Sequence, residues 1–232
     1  MRTEQESRSE MVDILKCMWD RGHANTTGVS ISERLGERII VDQSGTGFRR
    51  CRITINDLLV INEACHLVED APNGSFRRAP TNVIIHTEYY KENLLAQACI
   101  HCHAPYTQVF ACESRDIPPY TLQSKIMGEI PCIQVDDGAL KEQFRQSQKS
   151  LIVPSGLHQR PDVFYVMSQV ARKTIETLRP RNEEMKSHGL AVTHYQHGIF
   201  VWGRSLAEAF DNLERAEANA RAIILSKHLR EA

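Results

Sequence analysis

The chain has 232 residues, of which 41% are hydrophobic, and its 28 basic and 29 acidic side chains give a formal net charge of −1. A chain of this length buries a large core, and we expect a single domain over residues 1–232. The near-zero charge, without a basic face or a polybasic run, excludes nucleic acid and anionic membrane surfaces as expected partners.

The N-terminal segment and the cysteines indicate the compartment. Residues 1–10 are charged and contain no apolar core, so they do not form a secretory signal, and no apolar run approaches the length of a membrane span. The seven cysteines are odd in number, scattered and without CxxC spacing, which is typical of reduced thiols. We therefore expect a cytoplasmic protein.

The first part of the chain predicts a helix followed by a hairpin. Residues 4–20 carry apolar side chains at helical spacing. Residues 29–32 and 38–41 are short strand-like runs joined near Gly36, which predicts two antiparallel strands. Loops rich in glycine and threonine flank this hairpin. They lie at residues 25–28 and 42–47.

The middle of the chain alternates between helical and extended patterns. Thr54 and Asp57 have the spacing of a capping box, which predicts a short helix or turn starting there. A loop over residues 69–78 precedes an amphipathic helix that ends near Asn93. A strand, a helix, a brief helix after a Pro-Pro break and another strand follow. These lie at residues 96–101, 107–112, 121–127 and 130–135.

The last part of the chain contains the most regular helical patterns. Residues 138–150 are polar and give no assignment. Residues 161–178 predict a long helix, residues 191–202 predict two strands, and residues 205–227 predict a further helix. Helices and strands alternate without an internal repeat or a flexible linker, so the pattern predicts one mixed α/β unit.

Histidines near two predicted strands have the pattern of a metal site. A strand would direct His101 and His103 to one face and Cys102 to the other, because side chains alternate along a strand. His197 is a distant third imidazole, and three such ligands with an open fourth position are typical of catalytic zinc rather than structural zinc. His194 competes with His197, but in a strand the two would face apart. The alternative interpretation is a chance HxH spacing without a ligand role.

The sequence around these histidines resembles a known family. The stretches concerned are Ala98-Cys-Ile-His101-Cys-His103-Ala-Pro105, Gln196-His197-Gly198-Ile-Phe-Val-Trp-Gly203 and Ser205-Leu-Ala-Glu208-Ala209. They are similar to the class II aldolase/adducin superfamily, which includes fuculose- and rhamnulose-phosphate aldolases, and the resemblance extends over nearly the whole chain. It implies a three-layer α/β/α sandwich around a mainly antiparallel central sheet. It also implies a homotetramer with active sites between neighbouring subunits.

The resemblance further implies a metal ion and a small phosphorylated sugar as substrate. His101, His103 and His197 would bind Zn²⁺, with Mn²⁺ or Co²⁺ as alternatives. Family members bind the substrate phosphate with amides and hydroxyls of small-residue loops, which hold an anion without a flexible cation. The matching phosphate-binding residues are Thr27, Gly28, Thr46, Gly47 and Thr81. Val29 follows where the family has asparagine, and ordinary turn chemistry is the alternative interpretation of these loops.

The residue expected to transfer protons is replaced. Where the aldolases have a glutamate and related epimerases an aspartate, this chain has Asn82, whose amide does not accept a proton at neutral pH. Asn82 would instead orient a hydroxyl or a metal-bound water. The base would then be a metal-bound hydroxide, the substrate phosphate, or a side chain such as Glu88 or Tyr120. Residues 120–125 contain no carboxylate like that of methylthioribulose-phosphate dehydratase, which disfavours that activity.

These observations lead to one hypothesis with alternatives. The hypothesis is a zinc-dependent lyase of the aldolase type that cleaves a small phosphorylated ketose or related hydroxy-carbonyl compound through a metal-stabilised enediolate. The same fold and metal chemistry serve a sugar-phosphate epimerase, a dehydratase or a sugar-acid phosphate decarboxylase. A non-catalytic interaction protein like the adducin head is the rival, favoured by Asn82 and disfavoured by the three histidines. Residues 138–162 have no clear counterpart in the family and are expected to shape specificity.

Overall fold

The computed structural model describes residues 2–24, 28–43, 51–73, 78–147 and 150–231. An eight-stranded sheet lies at the centre of these ranges, with helices on both faces. The strands are β1 (Ser30–Leu35), β2 (Arg38–Asp42), β3 (Leu58–Ile61), β4 (Leu67–Glu69), β5 (Ala98–Cys102), β6 (Cys132–Ile133), β7 (Leu190–His194) and β8 (Gly198–Gly203). The α-helices are α1 (Glu4–Asp20), α2 (Val83–Glu92), α3 (Pro105–Cys112), α4 (Ser124–Met127), α5 (Asp137–Gln146), α6 (Pro161–Leu178) and α7 (Leu206–Glu231).

The order of the strands brings distant parts of the chain together. It is β4-β3-β2-β1-β5-β8-β7-β6, and every neighbouring pair is antiparallel except β6, which runs parallel to β7. β1 and β2 form the predicted hairpin, with Gly36 at a φ of +64° in the turn. In the middle of the sheet, His101 of β5 lies opposite Phe200 of β8. The pairing of β5 with β8 therefore places the two histidine-bearing segments side by side.

Each face of the sheet has its own hydrophobic core. Helices α1, α3 and α7 pack against one face, and α2 and α6 pack against the other. In β8, Ile199 and Val201 enter the first core, whereas Phe200 and Trp202 enter the second, because successive strand residues face opposite ways. Each such buried side chain contributes roughly 1.5–3 kcal/mol. The expected three-layer α/β/α sandwich around a mainly antiparallel sheet is confirmed.

Side chains at the helix starts satisfy amides that have no partner inside the helix. The Ser205 hydroxyl accepts from the Glu208 amide at 3.2 Å where α7 begins. The Asp136 carboxylate accepts from the Ala139 amide at 2.8 Å where α5 begins. Such caps contribute about 1 kcal/mol each. No helix of the described ranges combines the length and the apolar composition needed to cross a lipid bilayer.

The capping box forms as predicted, but the strand after it and a later helix were not predicted. The Asp57 carboxylate accepts from the Thr54 amide at 2.8 Å, Ile55–Asp57 form a 3-10 turn, and β3 follows at once. All four residues of β3 are buried, so both faces are apolar and the strand lacks the alternation that would have revealed it. The unassigned stretch 138–150 contains most of α5. That helix fully buries none of its residues, and its sequence is mostly polar, so it lacks the apolar content of a core helix.

Candidate metal centre

Three imidazoles meet beside the middle of the sheet. His101 lies in β5, His103 follows just after the end of that strand, and His197 lies in the turn between β7 and β8. One ring nitrogen of each histidine lies within 4.8 Å of the others. The ring centroids of His101 and His197 are 4.7 Å apart, and that of His103 lies 5.3 Å and 5.2 Å from these two. The structure thus brings together the three predicted ligands.

His101 is held in one orientation by its strand and by its neighbour. Its Nδ1 lies 2.9 Å from the carbonyl oxygen of Ile199. Because a carbonyl only accepts, Nδ1 carries the proton and Nε2 carries the free lone pair. The ring stacks on Phe200, with centroids 4.1 Å apart. Nε2 is buried without a hydrogen-bond partner among the described residues, a state that costs free energy and that a metal ion would relieve.

Two glycines allow the histidines to approach one another. A Cβ atom at Gly28, which has a φ of +76°, would lie 2.0 Å from Cε1 of His103. A Cβ atom at Gly198 would lie 2.4 Å from the carbonyl oxygen of Cys102 and 2.7 Å from Cδ2 of His103. Real Cβ contacts are not this short. The His-Gly pair at positions 197 and 198 therefore has a steric cause.

Burial keeps the imidazoles of His101 and His197 neutral. Burial, followed by the neighbouring His197 and His103, holds the pKa of His101 well below its usual value. Burial, followed by His194 and His103, lowers the pKa of His197 to about 3. Neutral imidazoles offer the lone pair that a metal ion requires. Three nitrogen donors, the free Nε2 of His101 and the space left by the glycines fit a zinc-type ion with an open fourth position.

Cys102 lies on the opposite face of the sheet, as predicted. Its side chain belongs to the core formed with α1, α3 and α7. Burial raises the pKa of this thiol, so it stays protonated at neutral pH. A protonated thiol in an apolar core is not a metal ligand.

His194 occupies a place that the sequence did not predict. Its Nδ1 lies 2.9 Å from Nδ1 of His197, so the expectation that the two rings face apart was wrong. The reason is that His197 lies in a turn rather than a strand, and Gln196, at a φ of +54°, folds the chain back over the end of β7. Nε2 of His194 lies 3.5 Å from Oδ1 of Asp137, in the first turn of α5. A polar chain therefore leads from His197 through His194 to Asp137.

A cavity of about 370 Å³ opens beside the metal centre. Its lining residues are Pro80, Thr81, Asn82, Asp137, Lys141, His158, Arg160, Val163, Met167 and His197. Two cationic side chains, Lys141 and Arg160, and one carboxylate, Asp137, give the wall a polar and partly basic character. Such a wall suits a small anionic molecule with several hydroxyl groups.

Thr81 and Asn82 lie in this cavity, at the start of α2. Asn82 is 8% exposed and does not cap the helix, and its Oδ1 has no hydrogen-bond partner among the described residues. The Thr81 hydroxyl donates to the carbonyl oxygen of His158 at 3.4 Å. Gly28 adjoins the metal centre rather than this cavity. The remaining phosphate-binding candidates, Thr27, Thr46 and Gly47, lie outside the described residues.

The other candidate bases lie elsewhere. The Glu88 carboxylate accepts from Lys91 at 2.6 Å and lines a separate groove against α6. Tyr120 is 48% exposed and does not line the cavity. Asp137 is the carboxylate that does line it, and sequence reasoning did not single it out. The available signal was the Asp136-Asp137-Gly138 run, which is typical of a helix start and not of a site.

The fold and the site together define a class of α/β/α proteins with an open three-histidine centre beside a polar cavity. The chain matches the model of the class II aldolase and adducin N-terminal domain family over residues 9–224. It belongs to this family.

Relatives and solved structures agree with this assignment. L-ribulose-5-phosphate 4-epimerase UlaF of Salmonella paratyphi B is 23% identical over 206 residues, which cover 88% of this chain and 77% of that protein. L-fuculose-1-phosphate aldolase from Thermus thermophilus superposes with a TM-score of 0.68 at 18% identity, over 97% of this chain and 96% of that one. YgbL from Klebsiella pneumoniae gives a TM-score of 0.70 at 22% identity, over 97% and 91% of the two chains. These likenesses establish the fold.

Proposed function

We propose that this protein is a zinc-dependent lyase of the aldolase type that acts on a small phosphorylated ketose or a related hydroxy-carbonyl compound. The observation that carries the proposal is the convergence of His101, His103 and His197 beside a polar cavity. No fourth histidine, cysteine or carboxylate of the described ranges joins this group. A structural zinc site has four protein ligands, whereas three ligands leave a position for substrate.

The residues around the cavity bind and orient the substrate. When bound, a divalent metal supplies Lewis-acid stabilisation of negative charge on a carbonyl oxygen. The free Oδ1 of Asn82 accepts a hydrogen bond from a substrate hydroxyl and so fixes its direction. Thr81, Lys141 and Arg160 offer donors and positive charge to a phosphate group. Thr27, Gly28, Thr46 and Gly47 stay further phosphate-binding residues proposed from the family resemblance, although Gly28 adjoins the metal centre and not the cavity.

A sugar-phosphate epimerase is the second candidate. The observation that favours it is the likeness to an L-ribulose-5-phosphate 4-epimerase over 88% of this chain. The two reactions need the same stabilisation of charge on a carbonyl oxygen and differ in whether the fragments recombine before release. Analysis of the products therefore separates them.

The proposal extends to assembly and location. A homotetramer with active sites between subunits is supported by apolar side chains exposed in one short segment, Tyr120 at 48%, Leu122 at 77% and Ile126 at 54%. Large exposed apolar groups close together are typical of interaction surfaces. A cytoplasmic location is supported by six cysteines outside any disulfide, because reducing compartments keep thiols unpaired; they are Cys17, Cys65, Cys99, Cys102, Cys112 and Cys132.

Metal analysis is the first test. Purified protein is expected to contain close to one divalent metal ion per chain, and metal-free protein is expected to take up Zn²⁺ tightly. His101→Ala should abolish both, since it removes a ligand whose partners are fixed. Absence of bound metal together with absence of Zn²⁺ uptake would refute the enzyme and leave the adducin-like interaction protein.

A substrate screen is the second test. Phosphorylated ketoses and sugar acids are incubated with the wild type, His101→Ala and Asn82→Glu, and the products are identified. We expect cleavage by the wild type and none by His101→Ala. An epimer without free fragments would select the second candidate, and turnover by His101→Ala equal to wild type would contradict the mechanism.

A further inference from the structure

A series of three polar side chains leads from the metal ligand His197 through buried His194 to Asp137 in the cavity wall. Nδ1 of His197 lies 2.9 Å from Nδ1 of His194, and Nε2 of His194 lies 3.5 Å from Oδ1 of Asp137. The His194 side chain is 0% exposed. Nε2 of His194 and Oδ1 of Asp137 are both buried, and neither has a hydrogen-bond partner among the described residues. Buried polar atoms rarely lack partners, so the approach of these two atoms to 3.5 Å indicates that the pairing has a role.

The chemistry of these groups fixes which nitrogen of each ring donates and which accepts. Two imidazole nitrogens at 2.9 Å share one proton, so one ring donates and the other accepts. A carboxylate only accepts, so a single proton on the His194 ring belongs on Nε2, which lies nearest to Asp137. Nδ1 of His194 is then the acceptor, and His197 donates from its own Nδ1. This leaves the lone pair of His197 on Nε2, the nitrogen available to a metal ion.

We propose that His194 and Asp137 are positioning residues for the metal ligand His197, an inference that rests on the proposed function. They fix its tautomer and its ring orientation, and the negative charge of Asp137 increases the basicity of the ring through His194. Hydrogen-bond partners of metal-binding histidines act in this way, and their loss weakens metal affinity by roughly 10- to 100-fold.

The location of His197 explains why it needs such support. His101 is held by β5 and donates to a backbone carbonyl, whereas His197 lies in a turn. His194 is the last residue of β7 and pairs with Gly198, so the sheet holds it firmly. Asp137 is placed by the capped start of α5. The His197 amide donates to the carbonyl oxygen of His194 at 3.0 Å, which holds the turn, and the strand and the helix together orient its ring.

Asp137 also lines the cavity, and direct proton transfer with substrate is the rival role. Burial is the largest influence and raises the pKa of its carboxyl, but His194, His197 and Lys141 together outweigh burial, so the pKa lies below its usual value and the group is ionised at neutral pH. Both roles predict a loss of turnover in Asp137→Asn. Only the positioning role predicts a loss of metal affinity in the absence of substrate.

The test measures the Zn²⁺ dissociation constant of the metal-free protein by competition with a chromophoric chelator. Asp137→Asn and His194→Leu are expected to raise it by roughly 10- to 100-fold, and His194→Gln, which restores an acceptor, should recover part of the loss. Asp136→Asn is the matched control: it changes the adjacent carboxylate and keeps a good helix cap, so wild-type affinity is expected. Wild-type affinity in both Asp137→Asn and His194→Leu would overturn the proposal.

A second measurement needs neither metal nor variants. Long-range ¹H–¹⁵N correlation spectra of the metal-free protein, labelled at histidine, report which ring nitrogen carries the proton. We expect His197 protonated at Nδ1 and His194 at Nε2, and the opposite pair of tautomers would overturn the proposal even if a variant fails to fold. If the wild type binds no metal, the proposed function fails, and the tautomers alone decide whether Asp137 and His194 hold His197. If the wild type binds Zn²⁺ and the variants bind it equally, the positioning role alone fails.

Discussion

At the residue scale, Gly198 is fixed by the atoms around it. An added methyl group would lie 2.4 Å from the carbonyl oxygen of Cys102 and 2.7 Å from the ring of His103. We expect Gly198→Ala to lower the free energy of unfolding by about 1–3 kcal/mol, the usual cost of overpacking, and to weaken Zn²⁺ binding because His103 must move. Denaturant titration and chelator competition measure the two effects.

Gly138→Ala is the matched control for this prediction. The same methyl group at Gly138 would lie 3.3 Å from the Asp136 carboxylate, a flexible neighbour, and the position is helical. Alanine is favoured over glycine in helices by up to about 1 kcal/mol. The control should keep or gain stability and keep its Zn²⁺ affinity. Equal behaviour of the two variants would show that contact with His103 is not the cause.

Asn82 is expected to contribute to substrate turnover and not to the affinity for Zn²⁺. Asn82→Ala removes one hydrogen bond to a substrate hydroxyl, worth about 1–1.5 kcal/mol, so kcat/KM should fall about tenfold. The Zn²⁺ dissociation constant should stay at the wild-type value, because the amide is not among the converging ligand groups. A parallel loss of metal affinity would place Asn82 in the metal centre instead.

The predictability of the site differs from residue to residue. His101, His103 and His197 could be predicted, because the alternate spacing and the His-Gly pair are local signals. His194 and Asp137 could not, since their meeting depends on the tight turn after β7 and on the placement of α5. Spacing along the chain specifies which face a strand residue points to, but it does not specify how a turn folds one residue over another.

At the scale of elements, α2 carries a histidine that folding keeps neutral. His86 is fully buried between two hydroxyls, with Oγ of Ser32 at 2.9 Å from Nδ1 and Oγ of Ser30 at 3.1 Å from Nε2. Burial lowers its pKa from 6.5 to about 3. Between these values the unfolded chain binds a proton that the native protein does not. Stability therefore falls as the pH drops below 6.5, by about 1.4 kcal/mol per pH unit for this one group, until the pH reaches about 3.

The variant His86→Gln isolates this contribution. Urea titrations from pH 7 to pH 5 should show a dependence of unfolding free energy on pH that is shallower by one proton than in the wild type. Comparison of slopes, and not of absolute stabilities, removes the general cost of the substitution. His66→Gln makes the same substitution at an exposed loop position and is the matched control. An unchanged slope in His86→Gln would mean that His86 is protonated in the folded protein.

The elements with a periodic apolar face could be predicted from sequence. The helix expected over residues 161–178 is α6 with the same bounds, because its buried residues recur at helical spacing. β3 was not predicted, since a strand covered on both faces looks like the apolar part of a helix. α5 was not predicted because it fully buries no side chain, and its position depends on the cap and on contacts with α6.

At the scale of the whole molecule, the single domain over residues 1–232 stays a prediction. A single domain should unfold cooperatively. One sheet joins the described strands, and both cores lie against it, so neither core can be lost without exposing the other face of the same strands. Thermal unfolding of the metal-free protein should be a single transition with equal calorimetric and van't Hoff enthalpies. Two separated transitions would show that the halves of the sheet unfold independently.

The proposed assembly into a homotetramer predicts that metal binding and turnover can be separated. The exposed apolar side chains of Leu122 and Ile126 are expected to lie in a subunit contact, so Leu122→Asp combined with Ile126→Asp should dissociate the protein. Analytical ultracentrifugation should give four times the 26.4 kDa chain mass for the wild type and a smaller species for the variant. Val68→Asp, an exposed apolar position on the outermost strand β4, serves as the control and should stay tetrameric.

The dissociated variant also tests where the active site lies. All three metal ligands come from one chain, so the dissociated variant should bind Zn²⁺ as tightly as the wild type. Turnover should be lost, because an active site between subunits needs groups from a neighbour. A dissociated variant with full turnover would show that one chain forms the complete site. Asp137 would then be the candidate carboxylate for proton transfer, because it lines the same cavity as His197 and Asn82.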